Sequence, residues 1–410
     1  MNTKKMLMLS LAVMMTGTTL LYANGGVSAA LADQSNRTMV AKKHTTEISA
    51  TSKQNQAAIK KLMDGAIKQG VPGMIIQTQH DGVKWEYATG KSSIVANDKM
   101  QPNFHFRIGS ITKTFTATVV LQLVGEGKLS LDDSIEKWLP GVVQGNGYDS
   151  NKITVRQLLN HTSGIADYTN AEHFMKRSFE QPFKSYSDVE HVESGLKQKP
   201  LFEPGTKFSY SNTNYVLAGL IIEKVTGDTY AEQITERLIK PLGLKNTLVP
   251  GTSSKLPKPH ARNYYSTGDK KLRDITELNP AIAGASGEMI STAGDLNRFF
   301  TKLLAGDLLK PKQMKEMLDT VEAAPGMRYG LGIKEIKLSN GTTVWGHSGG
   351  IHGTVSHTVG TLGGKKMLTI SNNYFTAGQL THGLEVISKL HAQIPSLVFD
   401  SSKNKKTSQK

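Results

Sequence analysis

Strand chemistry lies at the two ends of this 410-residue sequence and helical periodicity fills its middle, which constrains the fold more than any other feature. Near the start, "GMIIQTQHDGVKWEYATG" reads as two strands around a turn at His80-Asp81-Gly82. "FHFRIG" is a short strand-like piece that leads into Ser110. Strand patterns return over 329–373, with Asn340-Gly341 as a tight hairpin turn, then "GTVSHTVG" and "KKMLTISNN". Between about 112 and 300 the apolar residues recur at helical spacing, as in "KTFTATVVLQLVGEGKL", "NYVLAGLIIEKVTG" and "AGDLNRFFTKLL". Further helices are expected in "NQAAIKKLMDGAIKQG" and over roughly 376–391. The economical solution is one α/β (α+β) domain spanning 55–395. Its sheet would come from about 70–110 and 325–375, beside a mostly helical region at about 112–300.

The ends read differently. Lys4 and Lys5 precede the apolar run "MLMLSLAVMMTGTTLLY", and small residues follow, so residues 1–32 are expected to be a secretory signal cut after Ala29 or Ala32. No other apolar stretch is long enough to cross a membrane, so no stable span is expected once the signal is removed. Residues 33–54 read as a loose segment and 396–410 as a basic, disordered tail. The chain has no cysteine, which excludes disulfides, thiolate metal sites and a catalytic thiol. An exported chain without disulfides points to a bacterium, with a secreted or cell-wall-associated location expected. The formal net charge is +15, but the basic residues are scattered, so no nucleic-acid partner is expected. Weak attraction to an anionic cell wall and plain solubility are both consistent with that charge. No motif calls for a cofactor. His347, His352 and His357 are spaced by five, which places neighbours on opposite faces of a strand, so no metal is expected.

A serine three residues before a lysine can be a nucleophile beside its base, but this spacing occurs four times: Ser110–Lys113, Ser134–Lys137, Ser194–Lys197 and Ser402–Lys405. Context separates them. Ser402 lies in the basic tail, Ser194 between polar segments, and Ser134 in a charged stretch where Lys137 pairs naturally with Asp133 or Glu136. Ser110 follows a strand through Gly109 and opens a helix that is apolar on nearly every side. Residues three apart share a helix face, so Lys113 sits over Ser110. Burial and the helix N-terminus would both drive Lys113 toward its neutral, proton-accepting form. The alternative is a serine cap beside a surface lysine.

Two more elements follow. Tyr210-Ser211-Asn212 stands just before the long apolar helix "NYVLAGLIIEKVTG". There a phenol could relay protons and an amide could hold a carbonyl or the lysine. A packed tyrosine and a helix cap would look the same. A second Tyr-x-Asn, Tyr168–Asn170, lies in a polar stretch, and "LLNHTSGI" at 158–165 reads as a structural turn. The last element is His347-Ser348-Gly349-Gly350 on or beside a strand, where glycines allow close backbone approach and an N–H could complete an oxyanion hole with that of Ser110.

Ser110-x-x-Lys113, Tyr210-x-Asn212 and His347-Ser348-Gly349, in this order, resemble the motifs of the penicillin-recognising serine hydrolases. "FRIGSITKTFTA", "FEPGTKFSYSNTNY" and "GASGEMISTAGDLNRFF" resemble the branch of secreted serine DD-peptidases, D-stereospecific peptidases and class C β-lactamases. The resemblance implies a mainly antiparallel sheet flanked by helices, an all-α region, and a site between them. It implies that Ser110 forms an acyl-enzyme and that Lys113 and Tyr210 move protons. Asn212 would hold substrate, and the N–H groups of Ser110 and Gly350 would bind the oxyanion. His347 would replace a lysine that helps hold a substrate carboxylate in many relatives. Lys334, thirteen residues earlier, stands where an arginine is more typical and would assist. The expected activity is a serine peptidase for D-amino-acid peptides, with D-alanyl-D-alanine ends of cell-wall stems as substrate and β-lactams as inhibitors. The alternatives are a D-stereospecific aminopeptidase or endopeptidase, an esterase or β-lactamase, and a non-catalytic wall or β-lactam sensor.

Overall fold

The computed structural model describes residues 51–172, 174–266, 271–376 and 382–400. The expected signal at 1–32, most of the segment at 33–54 and the tail beyond 400 lie outside the described residues, and with them Ser402. Helix α1 (Lys53–Lys68) starts at Ser52, whose hydroxyl accepts the Asn55 N–H. Strands β1 (Gly73–His80) and β2 (Val83–Gly90) form the expected hairpin through Asp81-Gly82. After the helical region the chain returns to the sheet. It adds β3 (Val321–Ala324), β4 (Met327–Tyr329), β5 (Lys334–Lys337), β6 (Thr343–Ile351), β7 (Thr354–Gly360) and β8 (Lys366–Asn372).

These eight strands make one antiparallel sheet in the order β2-β1-β8-β7-β6-β5-β4-β3. The N-terminal hairpin joins the C-terminal strands through β1 and β8, where Ile76 pairs with Ile370. Both faces are covered, so the strands carry apolar residues on alternate sides. Ile76, Val344, Val359 and Ile370 face the terminal helices, while Ile75, Trp345 and Met367 face the helical region.

The last helix, α5, covers His382–Val398, seven residues past the expected end and through Pro395. Ile394, Val398 and Phe399 are buried there against the sheet, and Leu397 O accepts from Asn55 of α1 at 2.8 Å. Each fully buried aliphatic or aromatic side chain contributes about 1.5–3 kcal/mol, enough to offset one missing helical N–H.

The site rests on α2 (Thr112–Gly125), α3 (Asn212–Thr226) and α4 (Ala293–Leu304). Helix α2 is buried on every side, as its sequence requires, and Phe115 stacks on Phe299 of α4. Its threonines are satisfied by hydrogen bonds that also fix neighbours. Thr114 Oγ1 donates to Gly332 O at 2.6 Å, and Thr116 Oγ1 to Ala285 O at 2.9 Å.

Candidate active site

The structure separates the described Ser-x-x-Lys pairs by burial. Lys137 is exposed and pairs with Asp133 at 2.8 Å, and Lys197 is exposed on a surface helix. Lys113 has 0% of its surface exposed. Ser110 sits in a single 3-10 turn, Gly109–Ile111, that runs into α2, rather than in the α-helix itself. Gly109 has φ +51, and a Cβ there would lie 2.8 Å from Gly350 N, so glycine is required both for the turn and for the approach of β6.

Lys113 Nζ lies 3.2 Å from Ser110 Oγ, 2.7 Å from Asn212 Oδ1 and 2.7 Å from Ser286 O. The amide and carbonyl oxygens can only accept, whereas the hydroxyl can donate. A neutral amine has two N–H donors and one lone pair, and these three partners match that inventory. Burial pushes the Lys113 pKa well below its ordinary value, with buried Asp167 opposing and Lys334 assisting. Asn212 is fixed because its Nδ2 donates to Asp167 Oδ2 at 2.9 Å. Asp167 is a buried carboxylate whose pKa is raised, chiefly by burial.

Tyr210 lines the same cavity as Ser110, with its ring centroid 4.9 Å from Lys113 Nζ. Burial raises the pKa of this phenol, so it stays protonated and can give a proton. Its ring packs at 4.2 Å on His161, the apex of the "NHTSG" turn, where φ is +62. His161 Nδ1 accepts the Ser211 N–H at 3.2 Å, so this turn supports the Tyr210–Asn212 segment from below. Tyr168 of the second Tyr-x-Asn also reaches the cavity, but its hydroxyl is taken by Ile282 O at 2.9 Å.

Strand β6 passes beside the turn. A Cβ on Gly349 would lie 1.9 Å from Ile108 O, so the strand packs directly on the backbone that carries Ser110. Gly350 follows at the open edge, and Ser110, Gly350, Tyr210, Asn212, Lys334 and His347 all line one cavity. His347 differs from the expectation that it replaces a carboxylate-binding lysine. Its Nδ1–H donates to Ser348 O at 2.6 Å, and its Nε2 then accepts from Tyr329 Oη at 2.8 Å. Both ring nitrogens are engaged and burial holds the imidazole neutral, so it braces Tyr329. The cation in reach is Lys334, whose Nζ donates to Ser348 Oγ at 2.8 Å.

Asp167 went unnoticed in the sequence. It caps the 3-10 turn Tyr168–Asn170, and only the fold brings it to Asn212, so its neighbours in sequence give no sign of its role.

The beta-lactamase family profile matches residues 55–366. Among solved structures, the chain is similar to a D-stereospecific amidohydrolase from Streptomyces sp., with 44% identity and a TM-score of 0.75, over 81% of this chain and 97% of that one. It is similar to the D-amino acid amidase from Ochrobactrum anthropi SV3 solved with L-phenylalanine amide, with 27% identity and a TM-score of 0.74, over 86% of this chain and 99% of that one. The protein flp of Staphylococcus aureus (strain MW2) is 31% identical over 228 residues, or 55% of this chain. That match spans 44% of flp, so the chain covers less than half the length of this relative.

Proposed function

We propose that this chain, which belongs to the beta-lactamase family, is a serine hydrolase and, more narrowly, a D-stereospecific peptidase acting through an acyl-enzyme on Ser110. The observation that carries this reading is the Lys113 amine, fully buried with two accept-only partners and the Ser110 hydroxyl. Neutral Lys113 takes the Ser110 proton as Oγ attacks the substrate carbonyl. The tetrahedral oxyanion is held by the N–H groups of Ser110 and Gly350. The leaving nitrogen regains its proton from Lys113 through the Tyr210 phenol, and water then hydrolyses the ester. Asn212 holds Lys113 in place and faces the substrate backbone.

One stretch of the cavity lining is apolar, with Phe174, Met175 and Ile282, and suits a bulky apolar side chain. The similar solved structures are named for action on D-amino acid amides or for D-stereospecificity, which supports the choice of hand. The test compares hydrolysis of D-Phe oligomers with their L-counterparts. Equal rates for both hands would sink the stereochemical assignment.

Carboxypeptidase action on D-alanyl-D-alanine ends is the second reading, and Lys334 favours it. Burial lowers the Lys334 pKa to about 8, so it is charged below that pH and loses its charge above it. Lys334→Ala is expected to lower kcat/KM for peptides with a free C-terminus relative to their amides, by about 1–3 kcal/mol for one charged hydrogen bond. In the unsubstituted protein the same preference for acid over amide should be present below pH 8 and fade above it, since kcat/KM reports the free enzyme. Identical pH profiles for acid and amide would remove Lys334 from substrate recognition.

A further inference from the structure

His352 lines the cavity and takes no part in the acylation described above. With Gly353 it forms the two-residue turn that joins β6 to β7, where Ile351 pairs with Thr354. The turn is held in place. Gly353 has φ +78, and a Cβ on it would lie 2.5 Å from Asn263 Cβ, so glycine is required there. The ring is held as well. His352 Nε2 lies 2.7 Å from Ser178 Oγ of the helix Phe174–Glu180, and the Phe179 ring packs on the imidazole at 4.1 Å. Along the chain the order is Ser348, Gly350, His352, so the imidazole stands on the far side of the oxyanion position from Ser348 and the Lys334 bonded to it.

These hydrogen bonds fix what His352 offers to a ligand. Ser178 has one hydroxyl proton and two neighbours at 2.7 Å, His352 Nε2 and Met175 O. A carbonyl can only accept, so the proton goes to Met175 O and the Nε2–H of His352 donates to Ser178 Oγ. Nδ1 then carries the lone pair. It has no hydrogen-bond partner among the described residues, and His352 keeps 6% of its surface exposed where it lines the cavity. Burial, and after it the Arg107 charge, lower the imidazole pKa to about 3, so the ring stays a neutral acceptor.

The cavity also decides which kind of donor this acceptor can meet. No aspartate or glutamate lines it among the described residues. Asp167 lies behind Asn212, and both of its oxygens already accept N–H groups, from Asn212 Nδ2 and from the Thr169 backbone. The charged side chain in the cavity is a cation, Lys334. A free α-ammonium bound here would find no counter-charge, whereas an amide N–H needs none. We propose that His352 is a specificity-determining residue that accepts an amide N–H on the acyl side of the substrate. The enzyme then acts on D-residues whose nitrogen is acylated, inside a peptide, in preference to D-amino acid amides with a free amine. This rests on the D-peptidase reading and narrows it. A peptide with its attacked carbonyl at Gly350 and its leaving segment toward Lys334 brings its acyl-side amides to His352.

The test compares the p-nitroanilides of D-phenylalanine and of N-acetyl-D-alanyl-D-phenylalanine on the full chain, below about pH 7, where the free α-amine is charged. The unsubstituted protein is expected to favour the acylated substrate by about tenfold or more in kcat/KM. His352→Phe keeps the ring and leaves Ser178 bonded to Met175 O, and it should reduce that ratio by about three- to tenfold, the range for one neutral hydrogen bond. His352→Asn puts an amide oxygen near the Nδ1 position and should retain most of the ratio. A histidine that only supports the turn would affect both substrates alike and leave the ratio unchanged. A ratio near one or below in the unsubstituted protein, or one that His352→Phe does not reduce, overturns the proposal. If neither substrate is turned over, the peptidase reading fails, and binding decides the proposal separately. Calorimetry on the Ser110→Ala chain then compares N-acetyl-D-alanyl-D-phenylalanine amide with D-phenylalanine amide. Tighter binding of the acylated amide, lost when His352→Phe is added, supports it, and equal or weaker binding overturns it.

Discussion

Lys113→Met is expected to lower the rate of acylation by about 10²–10⁴, the range for loss of a positioned general base, while substrate binding changes little. The reason is local. Methionine has a similar length and would fill the same buried space, but it cannot accept the Ser110 proton. Asn212 Oδ1 and Ser286 O, which Lys113 meets at 2.7 Å, would lose their donor, so some loss of stability accompanies the change. The pH profile separates the two effects. In the unsubstituted protein acylation should rise with pH as Lys113 loses its proton, because its lowered pKa sets the acid limb. In the methionine variant that limb should vanish. A variant with undiminished acylation, or with the acid limb intact, would show that another group takes the proton.

Gly349→Ala should be nearly as damaging, through the backbone alone. The added Cβ would meet Ile108 O at 1.9 Å and Ile108 C at 2.9 Å, and neither atom can move without moving the turn that carries Ser110. Strand β6 must therefore shift and take the Gly350 N–H away from the oxyanion position. Loss of one such donor costs about 10²–10³ in rate. The crowding itself should cost about 1–3 kcal/mol of stability, read as a lower Tm. Full activity with an unchanged Tm would mean that β6 and the Ser110 turn are not in the contact described.

The fold was legible in the sequence because its signals are periodic. Strands at both ends and a buried helix after Ser110 require a sheet closed between β1 and β8, and the register of Ile76 with Ile370 meets that requirement. The Ser110–Lys113 pair was legible for the same reason: a helix with apolar residues on nearly every side leaves Lys113 nowhere to go but inside. What remained hidden depends on contacts between distant residues. Asp167 lies 45 residues before Asn212 and becomes part of the site only through that hydrogen bond. His347 reads as a ligand-binding histidine until Tyr329, 18 residues away, takes its second nitrogen. The helix Asp188–Leu196 was missed although Ser187 and Glu190 form a capping box, a local signal that could have found it. At the other end the helix expected to stop near 391 runs on through Pro395, because Ile394 and Val398 are buried against the sheet.

The central claim is that Ser110 carries the acyl group. A chromogenic thioester with a D-residue, or a β-lactam, is incubated briefly with the protein, and the adduct is located by peptide mass mapping. The added mass should fall on the "IGSITK" fragment, residues 108–113, and both label and turnover should disappear in Ser110→Ala. Turnover of the thioester would also dismiss a purely sensing role. A label on Ser134 or Ser194, or turnover that survives in Ser110→Ala, would contradict the account.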